Sequence, residues 1–164
     1  MKHISIIIAK KKIIEIKESG SVIVFTNGCF DILHKGHLTY LNHARKLGNY
    51  LIVGLNSDVS VSNLKGSDRP INSQNFRSKQ LLDLDAVDDV IIFNEHTPQN
   101  LINELQPNIL VKGGDYKKNE IIGAREVEEK GGKVVILPLV PGYSTTKMIN
   151  QLKEKGLTSQ DYTD

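Results

Sequence analysis

Residues 22–37 read VIVFTNGCFDILHKGH, and no other stretch restricts the fold as much. Val22 to Phe25 form an apolar run of strand length, Thr26, Asn27 and Gly28 interrupt it, and a helical pattern begins where His34 and His37 bracket Gly36. A strand that passes through glycine into a helix start aims unpaired backbone N–H groups and the positive end of the macrodipole beyond the sheet, which favours phosphate. Gly36 allows an anion to approach the backbone closely. His34 and His37, three apart on the first turn, can point at one ligand.

The same punctuation recurs along the chain. Leu51 to Leu55, Val90 to Phe93, Ile109 to Val111 and Val134 to Leu137 are further apolar runs of strand length. Between them lie segments of helical period. Lys35 to Leu47 places Leu38, Leu41 and Ala44 on one side, and a helix capped by Asn72 or Ser73 turns Phe76, Leu81 and Leu84 inward. Thr97 and Pro98 open a short helix with Leu101, Ile102 and Leu105; Ala124 to Lys130 follows, and a last helix carries Met148, Ile149 and Leu152. Strands alternating with helices predict an α/β fold, a three-layer sandwich around a five-stranded parallel sheet with right-handed crossovers. Residues 1–164 read as a single domain. A helical leader over residues 1–20, its helix running from Ser5 to Glu18, is expected to pack outside the core, and residues 157–164, which lack a pattern, to be a frayed tail.

Composition narrows the function classes. No apolar run in the 164 residues approaches the ~18 needed for a membrane span, and Met1 to Ala9 is too short for a signal segment, with Lys10 to Lys12 following it rather than preceding it. A cytoplasmic protein with no membrane partner is the expectation. A formal charge of +2 gives no global basic field, so no nucleic-acid partner is expected, and Lys10 to Lys12 suit a solvated helix face. The single cysteine, Cys29, excludes an internal disulfide and a Cys-rich zinc site.

In open parallel sheets ligands bind beyond the carboxyl ends of the strands. Lys112, Gly113, Gly114 and Asp115 end the fourth strand and are therefore expected on the same edge as His34 and His37. After the fifth strand, Tyr143, Ser144, Thr145 and Thr146 lead into the last helix, with Lys147 adding charge; these hydroxyls suit either capping or a second anion-binding helix start. The polar stretch from Asn56 to Asn72 reads as a long loop whose Lys65 and Arg69 are either surface charges or a lid over an anion. Arg77, in a first helical turn that disfavours cations, calls for an external anion or for solvent.

Three segments, TNGCFDILHKGH at 26–37, VKGGDY at 111–116 and YSTTKMI at 143–149, resemble the cytidylyltransferase-like nucleotidyltransferases, marked by an HxGH motif and a late hydroxyl-rich helix start. LNSD, LKG, RPIN and VKGGDY in that order resemble, within this family, the adenylyltransferase domain of the ADP-heptose synthases. The resemblance implies a Rossmann-like fold and transfer of AMP from ATP, with Mg²⁺, to D-glycero-β-D-manno-heptose 1-phosphate, giving ADP-heptose for lipopolysaccharide and releasing pyrophosphate. It implies that His34 and His37 contact the triphosphate, His37 stabilising charge at the α-phosphorus, and that Ser144, Thr145 and Thr146 hold the β- and γ-phosphates. The arginine that closes the late motif in many relatives is absent, and Lys147 stands close by as the candidate for its charge. Asn27, Gly28, Cys29, Phe30, Gly36, Lys112, Gly113 and Asp115 lie in the matched segments and are expected around the nucleotide. Lys65, Arg69 and Arg77 are candidates for the sugar phosphate, with Asp31 either there or holding its turn.

No metal ligand among the protein side chains is expected. The family resemblance also implies a homo-oligomer, and a separate heptose kinase, because 164 residues leave no room for one. The nucleophile is already an anion, so in-line attack needs positioning and charge neutralisation rather than a general base. HxGH leaves open a glycerol-phosphate cytidylyltransferase using CTP. A non-catalytic nucleotide-binding module would keep the crevice but lack turnover.

Overall fold

Alternation along the strands decides which face each helix covers. The computed structural model describes residues 2–114, 116–139, 141–142 and 144–155, without the side chains of Thr145 and Lys155. The expectations for Asp115, for the Thr145 side chain and for residues 157–164 lie outside the described residues.

Five strands, β1 (Ile23–Gly28), β2 (Tyr50–Asn56), β3 (Asp89–Phe93), β4 (Ile109–Gly113) and β5 (Lys133–Leu137), form one parallel sheet in the order β3-β2-β1-β4-β5. Ile23, Phe25, Ile52, Ile91, Phe93, Leu110 and Val134 face one side. There they pack against α1 (Ile6–Glu18), α5 (Gln99–Leu105) and α6 (Ala124–Glu129) through Ala9, Ile13, Leu101, Ile102, Leu105 and Val127. Val24, Leu51, Val53, Leu55, Val90 and Val111 face the other side, against Leu41 and Ala44 of α2 (Lys35–Lys46) and Leu81 and Leu82 of α4 (Gln74–Leu82). With period two, neighbours on a strand enter opposite cores, so both faces are sealed and each run is apolar throughout. Each such side chain contributes about 1.5–3 kcal/mol of burial. The α/β architecture with a five-stranded parallel sheet is as expected.

Three expectations need correction. The leader helix is part of the core: Ala9 is 0% and Ile13 5% exposed, whereas Ile14 is 58% exposed. Residues 56–72 are not one loop, because α3 (Asp58–Lys65) occupies half of them, capped by the Ser57 hydroxyl accepting from Ser60 N–H, with Asp58 in its first turn. Only Val61 and Ser60 are buried on it, so the apolar period that would reveal a helix is missing. Strand β1 continues past Phe25 through Thr26, Asn27 and Gly28, which pair with Val53, Gly54 and Leu55.

The last helix, α7 (Thr145–Lys155), has its own small cluster. Ile149 and Leu152 pack on Ile32, so the late motif is held against the turn that follows β1. No helix among the described residues is long and apolar enough to cross a membrane.

Candidate active site

The strand order reverses direction at β1 and β4, and the crevice opens at the carboxyl ends of those two strands. The turn after β1 is fixed from within. Phe30 takes a left-handed backbone conformation with φ 46°, and its ring lies against Gly28 so closely that a Cβ there would sit 2.9 Å from it. The same ring meets His37 edge-on at 5.2 Å.

His34 is the N-cap of α2, its Nδ1 accepting from the backbone N–H of His37 at 3.2 Å. An Nδ1 that accepts leaves the ring proton on Nε2, so His34 presents a donor there. The rings of His34 and His37 stack with centroids 3.7 Å apart and planes at 16°. Burial lowers the pKa of both. For His37 it falls to about 3, chiefly by burial and then by His34, against the Ile32 carbonyl. His37 is therefore neutral at physiological pH, and its Nδ1 is buried without a partner among the described residues. Burying charged imidazoles side by side would cost several kcal/mol.

Two cavities meet at this turn. One, of about 390 Å³, is lined by His34, Gly36, His37, Tyr40, Gly113, Pro138, Leu139 and Ser144. The other, of about 580 Å³, is lined by Asp31, Asn56, Leu64, Lys65, Arg69, His96, Thr97, Pro98 and Ile122. Asn27, Gly28, Cys29, Phe30, His37, Lys112 and Tyr116 belong to both. Each volume suits a small ligand.

In the first cavity, Ser144 Oγ accepts from Lys147 N–H at 3.4 Å at the start of α7, so the expected cap is formed. Thr146 and Lys147 are exposed and line neither cavity, so among the described residues Ser144 alone brings the late motif to the crevice wall. Tyr40, from α2, hydrogen-bonds Thr26 Oγ1 at 2.6 Å and fills the space beside Gly113, where a Cβ would meet its ring at 3.1 Å. Burial pushes the Tyr40 hydroxyl up to about 12, so it stays protonated. Burial also raises Cys29, against Lys65, Arg77 and Arg69, and the thiol remains a neutral wall.

In the second cavity the expectations divide. Lys65 and Arg69 line it. Arg69 is 8% exposed; its Nε donates to Asp31 Oδ2 at 3.0 Å, while its Nη2 is buried and unpartnered among the described residues. Asp31 is occupied internally: besides Arg69 it accepts from the backbone N–H groups of Ile71 and Asn72 at 2.9 Å, and its carbonyl accepts from Asn72 Nδ2. It thereby pins the 66–72 segment to the turn that carries the histidines.

Arg77 is a correction. It is 0% exposed, and its guanidinium donates to the carbonyls of Asn72, Cys29 and Asn56 and to Asp58 Oδ1, with no donor directed at a ligand. The anion it needs is Asp58, at 2.8 Å.

Tyr40, Tyr116, Pro138, Leu139, Asn56, His96 and Thr97 line the cavities but were not picked out from sequence. Asn56, His96, Thr97, Tyr116 and Pro138 stand at or just after strand ends, and in a parallel sheet every such loop faces the same edge. That placement was the available signal. Among the described residues no group of three His, Cys, Asp or Glu side chains could hold a metal ion.

A doubly wound parallel sheet with HxGH at the helix start after β1 and two joined cavities over its reversal point defines a class. The chain belongs to the cytidylyltransferase-like family of nucleotidyltransferases, whose model matches residues 25–151. It is 53% identical over 144 residues to the bifunctional protein HldE of Actinobacillus pleuropneumoniae, covering 88% of this chain and 30% of that protein. It is 50% identical over 147 residues to HldE of Campylobacter fetus, covering 90% and 31%. The chain thus spans about a third of the length of these relatives. Among solved structures, a lipopolysaccharide core biosynthesis protein from Thermoplasma volcanium superposes with a TM-score of 0.61 at 29% identity, over 74% of this chain and 98% of that one.

Proposed function

We propose that the protein transfers AMP from ATP to a sugar 1-phosphate, D-glycero-β-D-manno-heptose 1-phosphate, giving ADP-heptose and pyrophosphate. The observation that carries this reading is the shared wall: a cavity bearing HxGH and the capped start of α7 meets, across Gly28, Cys29, Phe30, His37 and Lys112, a cavity bearing Lys65 and Arg69. That is the geometry of a donor nucleotide and an anionic acceptor brought to one point. The similarity to HldE and the ordered LNSD, LKG, RPIN and VKGGDY segments support heptose as the sugar.

The acceptor phosphate oxygen attacks the α-phosphorus in line, the bond from that phosphorus to the bridging oxygen breaks, and pyrophosphate leaves. The attacking group is already ionised, so no protein base is needed. His34 through Nε2–H, the neutral ring of His37, the N–H groups opening α2 and Ser144 orient the triphosphate and meet the charge that builds on it. Asp31 is committed to Arg69 and the backbone, and magnesium is assigned to the ATP substrate rather than to a protein side chain. Lys65 and Arg69 Nη2 hold the acceptor phosphate, and Asn56, His96 and Thr97 line the space for its sugar. A kinase, on this or another polypeptide, must supply that sugar 1-phosphate.

The test is pyrophosphate release with Mg²⁺, pairing ATP and CTP with heptose 1-phosphate and with glycerol 3-phosphate. Turnover by ATP with the heptose alone is expected. Turnover by CTP with glycerol 3-phosphate would replace both substrates, and silence in all four reactions with ATP still bound would leave a binding module.

A further inference from the structure

Lys112 occupies the end of β4, paired with Ile136 of β5, and its side chain leaves the sheet at the line where the two cavities join. Lys65 and Arg69 line the acceptor cavity alone, and Lys147 lines neither. Among the described residues Lys112 is thus the one cationic side chain in the wall of both. Its ammonium lies 5.6 Å from the centroid of the Tyr116 ring, and no carboxylate among the described residues pairs with it. Burial lowers its pKa. A cation withdrawn from water without a counter-ion is unfavourable, and an anion arriving from the cavity offsets that cost.

We infer that Lys112 is a catalytic cation shared by the two substrates, donating to the α-phosphate of the nucleotide and to the phosphate of the acceptor at once. The inference rests on the adenylyl-transfer reading above and deepens it. An ammonium carries three donors on a flexible stem, which suits a group that must touch two phosphates whose separation shrinks as the bond forms. Two anions brought together repel strongly in a partly dry cleft, and a positive charge between them lowers that repulsion most where they are closest, in the transition state. The new bond joins the acceptor oxygen to the α-phosphorus and the bond to the pyrophosphate oxygen breaks; Lys112 stays protonated throughout. His37, which also lines both cavities, is neutral and cannot supply that charge.

The experiment compares wild type, Lys112→Met and Lys112→Arg in two measurements. Calorimetry gives the affinity of α,β-methylene-ATP with Mg²⁺, of heptose 1-phosphate, and of each in the presence of the other; pyrophosphate release gives kcat. Lys112→Met is expected to weaken both ligands, to abolish the favourable coupling between them and to lower kcat about 10²- to 10³-fold, with Lys112→Arg recovering part of each. Loss of affinity for one ligand only, or a kcat within about threefold of wild type, overturns the sharing. If wild type binds both ligands without turnover, the adenylyl-transfer reading fails, and the shared cation stands or falls on whether Lys112→Met weakens both. If wild type binds neither, both readings fail.

Discussion

Nδ1 of His34 accepts a hydrogen bond from the backbone N–H of His37, and the two imidazoles stack 3.7 Å apart. One histidine therefore starts the helix on which the other stands. This gives His34 two separable roles, a cap and an Nε2 donor. Replacing it with alanine should cost about 1 kcal/mol of stability, whereas asparagine, a good N-cap, should restore the stability. Both variants should lose about 10²- to 10³-fold in turnover, as should His37→Ala. Thermal melts beside pyrophosphate release separate the roles; a His34→Asn enzyme of normal turnover would remove His34 from the chemistry.

Burial of His37 predicts a sign for acid instability. Its folded pKa of about 3 lies below the ordinary value of 6.5, so between those values the unfolded chain binds a proton that the folded protein does not. Stability is then full above 6.5, falls as pH drops and stops falling near 3. At about pH 4.5 the loss due to this ring is roughly 2–3 kcal/mol, and His34, lowered by burial, adds in the same direction. Urea midpoints at neutral pH and at about pH 4.5 should move closer together in His37→Gln. An unchanged gap would mean that the ring is not buried neutral.

Arg77 predicts a structural phenotype where its sequence position suggested a ligand. Four acceptors from three segments converge on its guanidinium. Arg77→Met should cost about 3–5 kcal/mol, a fall in Tm of roughly 6–20 °C, and Arg77→Lys should recover little because one ammonium cannot reproduce the planar fork. A variant that kept its melting temperature and lost only acceptor affinity would restore the ligand role.

Asp31 predicts a split between the two substrates. Asp31→Asn keeps the shape but weakens the hold on Arg69 Nε and on the Ile71 and Asn72 N–H groups. The KM for the sugar phosphate should rise about tenfold or more, while the KM for ATP changes little. An equal rise in both would show that the 66–72 segment supports the nucleotide as well.

Much of the site was legible because it depends on local pattern. Val22 to Phe25 followed by an HxGH helix start predicted a strand and a helix beginning at the histidines, and β1, His34 and α2 stand there, the strand running on through Gly28. The fourth strand ending in Lys112 and Gly113 was expected on the same edge and lies there. The polar residues of α3 concealed a helix because Ser57 and Asp58 stabilise its start while little of its surface is buried. The second wall of the acceptor cavity, His96 and Thr97, is marked in the sequence only by its place after the third strand.

The sequence by itself determined what short-range physics controls: the alternation that seals both faces of the sheet, the turn residues that end each strand, and the capping serines and histidine that begin α1 to α4 and α7. The tertiary structure alone decided what each charged side chain is for. Arg69 meets Asp31 across 38 residues and Arg77 meets the Cys29 carbonyl across 48, contacts that no local period encodes. A charge in a sequence shows only that it must find a partner, and whether that partner is the protein or a ligand depends on which groups folding brings within hydrogen-bond distance of it.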